Sequence, residues 1–155
     1  MGIKNLYKLI SKEAPNSIKK TSIKDYSNNY IVLDASMIIY QYVIAIRGTG
    51  NDLTNDNGEM TSHILGVLSK ALMLLRYHII PIFVFDGKPP LLKSDTLAKR
   101  RKIKNKSKEK LATAVNEADK IKHFKRSFTI TKEQTNQAKE ILKLFGIPVI
   151  EAKLE

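Results

Sequence analysis

Three short apolar runs divide the chain, and between them apolar positions recur at helical spacing. The runs cover residues 30–33 (Y-I-V-L), 79–85 (I-I-P-I-F-V-F) and 147–150 (I-P-V-I), and their β-branched and aromatic content predicts strands. The central run lacks polar alternation, which predicts a strand buried on both faces. Segments 37–46, 64–75 and 138–145 are apolar at a three-to-four-residue period, which predicts helices. This alternation favours an α/β fold with a mostly parallel sheet flanked by helices.

Residues with short polar side chains indicate where these helices begin. We expect N-caps at Ser36, at Thr61 or Ser62, and at Thr131 or Thr129. The polar segment 49–59 is long for a connection inside a compact domain, which is typical of functional or mobile loops.

The predicted strands run directly into carboxylates. Asp34 follows the first run, and Asp86 follows the second and is itself followed by the strand-breaking residues G-K-P-P. The third run precedes Glu151, with Glu155 about one helical turn further on. Because ligands of open α/β sheets bind at the carboxyl ends of the strands, we expect these side chains at one edge. The alternative for Asp86 is a plain turn residue, since Asp-Gly is a common turn pair.

Carboxylates gathered at one edge repel one another unless a hard cation lies between them. The chain has no cysteine, and its three histidines are far apart in sequence, so oxygen ligation of Mg²⁺ or Mn²⁺ is favoured over a zinc site. Two such ions activate water and stabilise the leaving oxygen in phosphodiester hydrolysis. The residues therefore indicate a metal-dependent nuclease, with ordinary strand-end aspartates beside a solvated helix as the alternative.

The positive charge of the chain is concentrated in one segment. The formal net charge is +12, and residues 88–126 contain fourteen Lys or Arg against four acidic residues. Such a block indicates a polyanionic partner such as nucleic acid. A helix that is polar all round has no core face, so this segment is expected to project from the body. A solvated lysine-rich helix is the alternative, and a membrane-surface helix is disfavoured because residues 99–110 have almost no apolar face.

Longer motifs identify a family resemblance. The stretches M-G-I-K-N-L, V-L-D-A-S-M-I-I-Y-Q, G-E-M-T-S-H, V-F-D-G-K-P-P, L-K-S-D-T-L-A-K-R and G-I-P-V-I-E-A occur in this order over essentially the whole chain. Together they resemble the N-terminal region of the flap endonucleases of the XPG superfamily. The resemblance implies a PIN-like, Rossmann-like α/β fold with a projecting basic helical cap at about 91–128. It also implies that the internal nuclease region starts at about 147–155 and that the C-terminal half of the family fold is missing.

Site residues carried over from this resemblance are implied by it alone. Asp34, Asp86 and Glu155 match metal-binding carboxylates for two Mg²⁺ ions, with Mn²⁺ as a substitute. Lys93 and Arg100 match basic residues that face the scissile phosphate, and they join Asp34 and Asp86 as catalytic candidates. The DNA-binding set that the resemblance implies is Gly2, Tyr40, Arg47, Glu59, Thr61, Lys93, Arg100, Arg101 and Lys104. Tyr40 would stack on a nucleotide, although without the resemblance its position favours a core helix tyrosine.

The resemblance further implies cleavage of DNA near the base of 5′ flaps or branched junctions during replication and repair. The expected location is the nucleus, or a cytoplasmic replication site if the source is viral. Family members also bind a sliding clamp through a C-terminal tail. That tail, the later carboxylates of the family and its duplex-binding motif have no counterpart here. The isolated chain is therefore expected to be inactive. A non-catalytic nucleic-acid-binding fragment and one half of a split nuclease are the alternatives.

Overall fold

A three-stranded parallel sheet organises the fold. Its strands β1 (Tyr30–Asp34), β2 (Ile80–Phe85) and β3 (Val149–Glu151) lie in the order β1-β2-β3, so β2 is central. The computed structural model describes residues 3–47, 53–87, 89–90 and 94–153, without the side chains of Arg47 and Glu117. The predicted parallel α/β arrangement is confirmed.

Helices connect the strands in the predicted alternation. Residues 35–75 supply two helices between β1 and β2, and residues 94–144 supply three helices between β2 and β3. The helices are α1 (Leu6–Glu13), α2 (Ala35–Arg47), α3 (Ser62–Leu75), α4 (Ser94–Thr113), α5 (Glu117–Ser127) and α6 (Lys132–Leu144). Short 3-10 turns lie at Pro15–Ser17 and Ile23–Tyr26. None of the described helices combines the length and apolar composition needed to cross a membrane.

The core lies on one face of the sheet. Phe83 and Phe85 of β2 are fully buried there, and α2, α3 and α6 cover them. The helices contribute a set of small and branched side chains: Ala35, Ile38, Ile39, Val43, Val67, Ala71, Ala138 and Leu142. Helices α2 and α3 approach closely at Gly66 of α3, where an added Cβ would lie 2.7 Å from the Cβ of Tyr42 on α2.

The expectation that β2 is buried on both faces is wrong for the described part of the chain. Its residues alternate between exposed or half-buried positions (Ile80, Ile82 and Val84) and buried ones. An apolar run without polar alternation predicts two covered faces, but the described helices supply a layer on only one.

One predicted helix start is wrong, and a second is correct in position but lacks the side-chain cap. The carboxylate of Asp34, and not Ser36, caps α2, because Asp34 Oδ1 accepts a hydrogen bond from the Met37 amide at 2.8 Å. Thr61 lies at the N-cap position of α3, but its hydroxyl donates to the Leu53 carbonyl instead of accepting from the helix. Thr131 forms a reciprocal capping box with Gln134 at the start of α6. Of the two predicted caps, Thr131 and Thr129, the first is therefore confirmed.

Candidate metal and nucleic-acid site at the carboxyl edge of the sheet

Asp34 and Asp86 emerge from neighbouring parallel strands at the same edge. Asp34 lies beside Val84 in the register, and Asp86 follows Val84 by two residues. Strands about 4.8 Å apart with a rise of about 3.3 Å per residue place the two Cα atoms roughly 8 Å apart if β2 continues extended. Both residues are exposed, and such a pair could jointly bind a divalent cation.

Asp34 also has a structural task. It closes β1 and caps α2, so one of its carboxylate oxygens is held by the Met37 amide. A carboxylate at this position also interacts favourably with the helix macrodipole, which helps to fix its orientation. The carboxylate is thus held in place at the sheet edge while the residue stays exposed.

Gly87, directly after Asp86, lets the backbone that leaves β3 pack closely against the end of β2. A Cβ at this position would collide with the Ala152 carbonyl oxygen and lie 2.6 Å from the Lys153 carbonyl carbon. The Ala152 amide donates to the Phe85 carbonyl at 3.0 Å, so the backbone leaving β3 crosses directly over Gly87. The D-G pair therefore does more than make a turn, because only glycine admits this close backbone approach.

Glu151 lies at the same edge but belongs to the opposite face of the sheet. It lies beside Phe85 in the register, whereas Asp34 lies beside Val84, and successive residues of a strand point to opposite faces. Its Oε2 accepts from Lys139 Nζ at 2.8 Å, and this hydrogen bond and charge hold the pKa of Glu151 below its usual value. The Lys139 ammonium also lies 5.3 Å from the centre of the Phe85 ring. Glu151 therefore does not join Asp34 and Asp86.

No group of three His, Cys, Asp or Glu side chains within the described ranges is arranged to hold a metal ion. Glu155, the third carboxylate that the resemblance implied, lies outside those ranges, as do Gly2 and Lys93. The side chain of Arg47 also lies outside them. The described residues thus place two exposed carboxylates, Asp34 and Asp86, at this edge, and carboxylate oxygens are the kind of donor that suits a hard cation.

Helices α4 and α5 form a basic pair that packs together, and the end of α5 packs against the core through Phe124. At about 1.5 Å per residue, α4 is roughly 30 Å long, and its main contact is α5. Arg100 and Arg101 are exposed on α4, and Lys104 is half-buried. The two helices are separated at residues 114–116, where Asn116 caps α5.

Tyr40 joins this helical pair to α2. Its hydroxyl donates to the Lys125 carbonyl at 2.5 Å, and its ring centre lies 6.2 Å from that of Phe128. Phe128 lies 5.5 Å from Phe124, and both pack against the core. Tyr40 is nevertheless 39% exposed, so part of its ring is open to solvent. The hydrogen bond to Lys125 could not be predicted from the sequence, because its acceptor is a backbone carbonyl, which every residue type has.

Glu59 and Thr61 belong to a tight turn at the start of α3. Within residues 53–61 the Asn55 side chain accepts from the amides of Asn57 and Glu59 and donates to Glu59 Oε2 at 2.8 Å. Gly58 has a φ of 79°, in the left-handed region. The sequence indicated that this loop is functional or mobile. The described part is closed by its own hydrogen bonds, which also hold the Glu59 carboxylate and the Thr61 hydroxyl.

His63 is a buried polar residue of α3. It is fully buried, and its Nε2 lies 2.7 Å from Gln137 Oε1, which links α3 to α6. Burial lowers the pKa of His63 and outweighs the raising effect of the Gln137 hydrogen bond. This environment favours the neutral ring, so His63 stabilises the packing of two helices and does not take part in the site.

Comparisons with known proteins give the same result as the motifs. The profile of the XPG N-terminal domain family matches residues 1–107. A curated relative, flap endonuclease 1 of Glossina morsitans morsitans, is 48% identical over all of this chain, which covers 41% of the relative. Flap endonuclease 1 of Naegleria gruberi is 45% identical over 98% of the chain and 40% of the relative. The chain thus spans about two-fifths of the length of these relatives.

Solved structures agree on the fold. The catalytic core of Rad2 in complex with DNA substrate superposes with a TM-score of 0.64 at 26% identity, over 99% of this chain and 40% of that one. Flap endonuclease-1 from Methanococcus jannaschii superposes with a TM-score of 0.57 at 32% identity, over 88% of this chain and 45% of that one. The parallel sheet, the order of the motifs and the family profile agree, and the chain belongs to the XPG family of nucleases, to whose N-terminal domain it corresponds.

Proposed function

We propose that this chain is the N-terminal part of a structure-specific 5′ flap endonuclease that hydrolyses DNA phosphodiesters near the base of 5′ flaps. The observation that carries the proposal is the convergence of Asp34 and Asp86 at one sheet edge, in a chain whose basic α4–α5 pair is joined to α2 by Tyr40. Relatives named flap endonuclease 1 support the choice of reaction, and the Rad2 core was solved with DNA substrate. Replication and repair in the nucleus, or at a viral replication site, are the setting we propose.

Asp34 and Asp86 would hold the divalent ions. When bound, Mg²⁺ or Mn²⁺ supplies an activated water and stabilises charge on the leaving oxygen. The Met37 amide orients the Asp34 carboxylate, and the close packing at Gly87 fixes the backbone next to Asp86. Glu155 is proposed as a further ligand from outside the described ranges.

The basic helices and the exposed part of Tyr40 would hold the DNA. Arg100 and Arg101 project from α4 into solvent, where they can bind phosphates. Arg100, with Lys93, would stabilise negative charge that develops on the scissile phosphate. The half-exposed ring of Tyr40 provides a stacking platform for one nucleotide. Gly2, Arg47, Glu59, Thr61 and Lys104 complete the proposed contacts with DNA.

The experiment uses a chimera in which this chain replaces the matching part of the Glossina relative. Cleavage of a labelled 5′-flap substrate is measured in Mg²⁺ for the chimera and for its Asp86→Asn and Arg100→Ala variants. We expect product near the flap base and at least a hundredfold slower cleavage in both variants. A Glu133→Gln control should leave cleavage unchanged, because Glu133 is exposed on α6, outside the proposed site. Cleavage that is unaffected by Asp86→Asn, or equally lost in the control, would contradict the proposal.

A second candidate is a non-catalytic nucleic-acid-binding fragment. The formal charge of +12 favours it, as does the finding that no three metal-ligating side chains of the described residues are grouped. Salt-dependent binding of the unmodified chain to flap DNA, with no product from the chain and none from the chimera, would support this candidate over the first.

A further inference from the structure

Lys139 is a largely buried lysine that contacts the ends of two strands. It belongs to α6, where its neighbour Ala138 is fully buried in the core. The Lys139 side chain is only 16% exposed, and lysine side chains are rarely buried unless they are paired. Its Nζ lies 2.8 Å from Glu151 Oε2 at the end of β3 and 5.3 Å from the centre of the Phe85 ring at the end of β2. One ammonium group therefore joins the last residues of two neighbouring strands.

The two strand ends in contact with this ammonium group are also bonded to each other. Phe85 lies beside Glu151 in the register, and the Ala152 amide donates to the Phe85 carbonyl at 3.0 Å. The backbone that leaves β3 then passes so close to Gly87 that an added Cβ would collide with it. Asp86 lies between Phe85 and Gly87, so both of its chain neighbours are held by these contacts.

The ion pair is better suited to fix a position than to stabilise the fold. The Glu151 side chain is 61% exposed, and ion pairs open to solvent contribute little to the free energy of unfolding. Phe85 and Glu151 belong to the face of the sheet that the helices cover, so the ammonium group acts on Asp86 through the backbone of β2. Groups that support a metal ligand without touching the metal commonly change the metal affinity by about 10–100-fold.

We propose that Lys139 is a positioning residue for Asp86: by joining the ends of β2 and β3 it fixes the backbone that carries this carboxylate, and it thereby raises the affinity of the edge for a divalent cation. The inference rests on the proposed function, which makes Asp86 a metal ligand. It also predicts a sign. A positive charge near the edge repels a cation, so electrostatics alone would give tighter cation binding once the ammonium group is removed, whereas loss of positioning gives weaker binding.

The first test measures Mn²⁺ binding to the chimera by electron paramagnetic resonance, without DNA and without turnover. Lys139→Met keeps the length of the side chain and removes its charge, whereas Lys139→Arg keeps the charge. Lys132→Met is the matched control, because it makes the same change at an exposed position at the start of α6. We expect a dissociation constant about fivefold higher in Lys139→Met, below the range for direct supporting groups because the effect passes through the backbone, and values close to the unmodified one in Lys139→Arg and Lys132→Met.

The second test needs no metal and uses the unmodified chain. Hydrogen exchange of the Ala152 amide reports opening of its bond to the Phe85 carbonyl, which joins the two strand ends. We expect exchange at least threefold faster in Lys139→Met and in Glu151→Gln, and unchanged exchange in Lys132→Met. Circular dichroism checks that every variant is folded at the temperature of the measurements.

Several outcomes would overturn the inference. They are Mn²⁺ binding in Lys139→Met that is unchanged or tighter, equal weakening in Lys132→Met, no recovery in Lys139→Arg, and Ala152 exchange that is the same in all variants. Asp86→Asn separates these failures from failure of the proposed function. If Asp86→Asn weakens Mn²⁺ binding and Lys139→Met does not, only the positioning role is wrong; if Asp86→Asn has no effect, the proposed metal site is wrong, and the inference is wrong with it.

Discussion

The contact between Tyr40 and Lys125 allows a defined prediction about the basic helices. Tyr40→Phe removes the hydroxyl and leaves the ring packed 6.2 Å from Phe128. The lost hydrogen bond is to an uncharged carbonyl at a partly exposed position, so its net contribution is about 1 kcal/mol. That energy corresponds to an approximately fivefold larger population in which the end of α5 has detached from α2.

Hydrogen exchange measures that population directly. The Phe128 amide donates to the Phe124 carbonyl at 2.8 Å, and its exchange reports opening at the end of α5. We expect exchange about fivefold faster in Tyr40→Phe, from the same hydrogen-bond energy, and faster again in Tyr40→Ala, which also removes the ring contact.

The matched control is Tyr7→Phe. Tyr7 lies on α1 and is 72% exposed, so loss of its hydroxyl should leave Phe128 exchange unchanged. The reasoning is refuted if Tyr40→Phe exchanges like the unmodified chain or if Tyr7→Phe accelerates exchange equally.

Three further predictions concern stability, measured by urea denaturation of the chain. Asp34→Ala should lower the free energy of unfolding by about 1 kcal/mol, because it removes the cap of α2. Asp34→Asn should retain most of the capping energy, because the amide oxygen still accepts from the helix, and yet abolish cleavage by the chimera. Equal destabilisation by the two substitutions would exclude the capping role. Gly87→Ala should cost about 1–3 kcal/mol through its collision with the backbone of Ala152, and an unchanged midpoint would show that this approach is not tight. The pKa of His63 is lowered on folding, so the unfolded state binds more protons and stability should fall as pH decreases below 6.5 towards the folded pKa. His63→Gln should remove that slope between pH 6.5 and 5, and a slope that persists would assign it to other groups.

Local features of the sequence were sufficient to predict most of the elements. Apolar runs gave β1 and β2 and helical spacing gave the helices, because strand and helix periods depend on neighbouring residues alone. Asp34 and Asp86 at strand ends could be found in the same way. The family motifs then supplied roles for residues such as Tyr40 and Arg100, and these roles remain proposals.

Contacts between distant segments could not be predicted from those patterns. Glu151 follows an apolar run just as Asp34 does, but the register places it on the other face of the sheet, where it pairs with Lys139. Tyr40 meets a carbonyl 85 residues away, and no residue type encodes a backbone acceptor. The exposure of Val32 and Ile150 within strands could not be predicted either, because an apolar strand has the same sequence whether or not a second layer covers it. Register, backbone approach and the number of packed layers arise when the chain assembles in three dimensions, and the coordinates were needed to establish them.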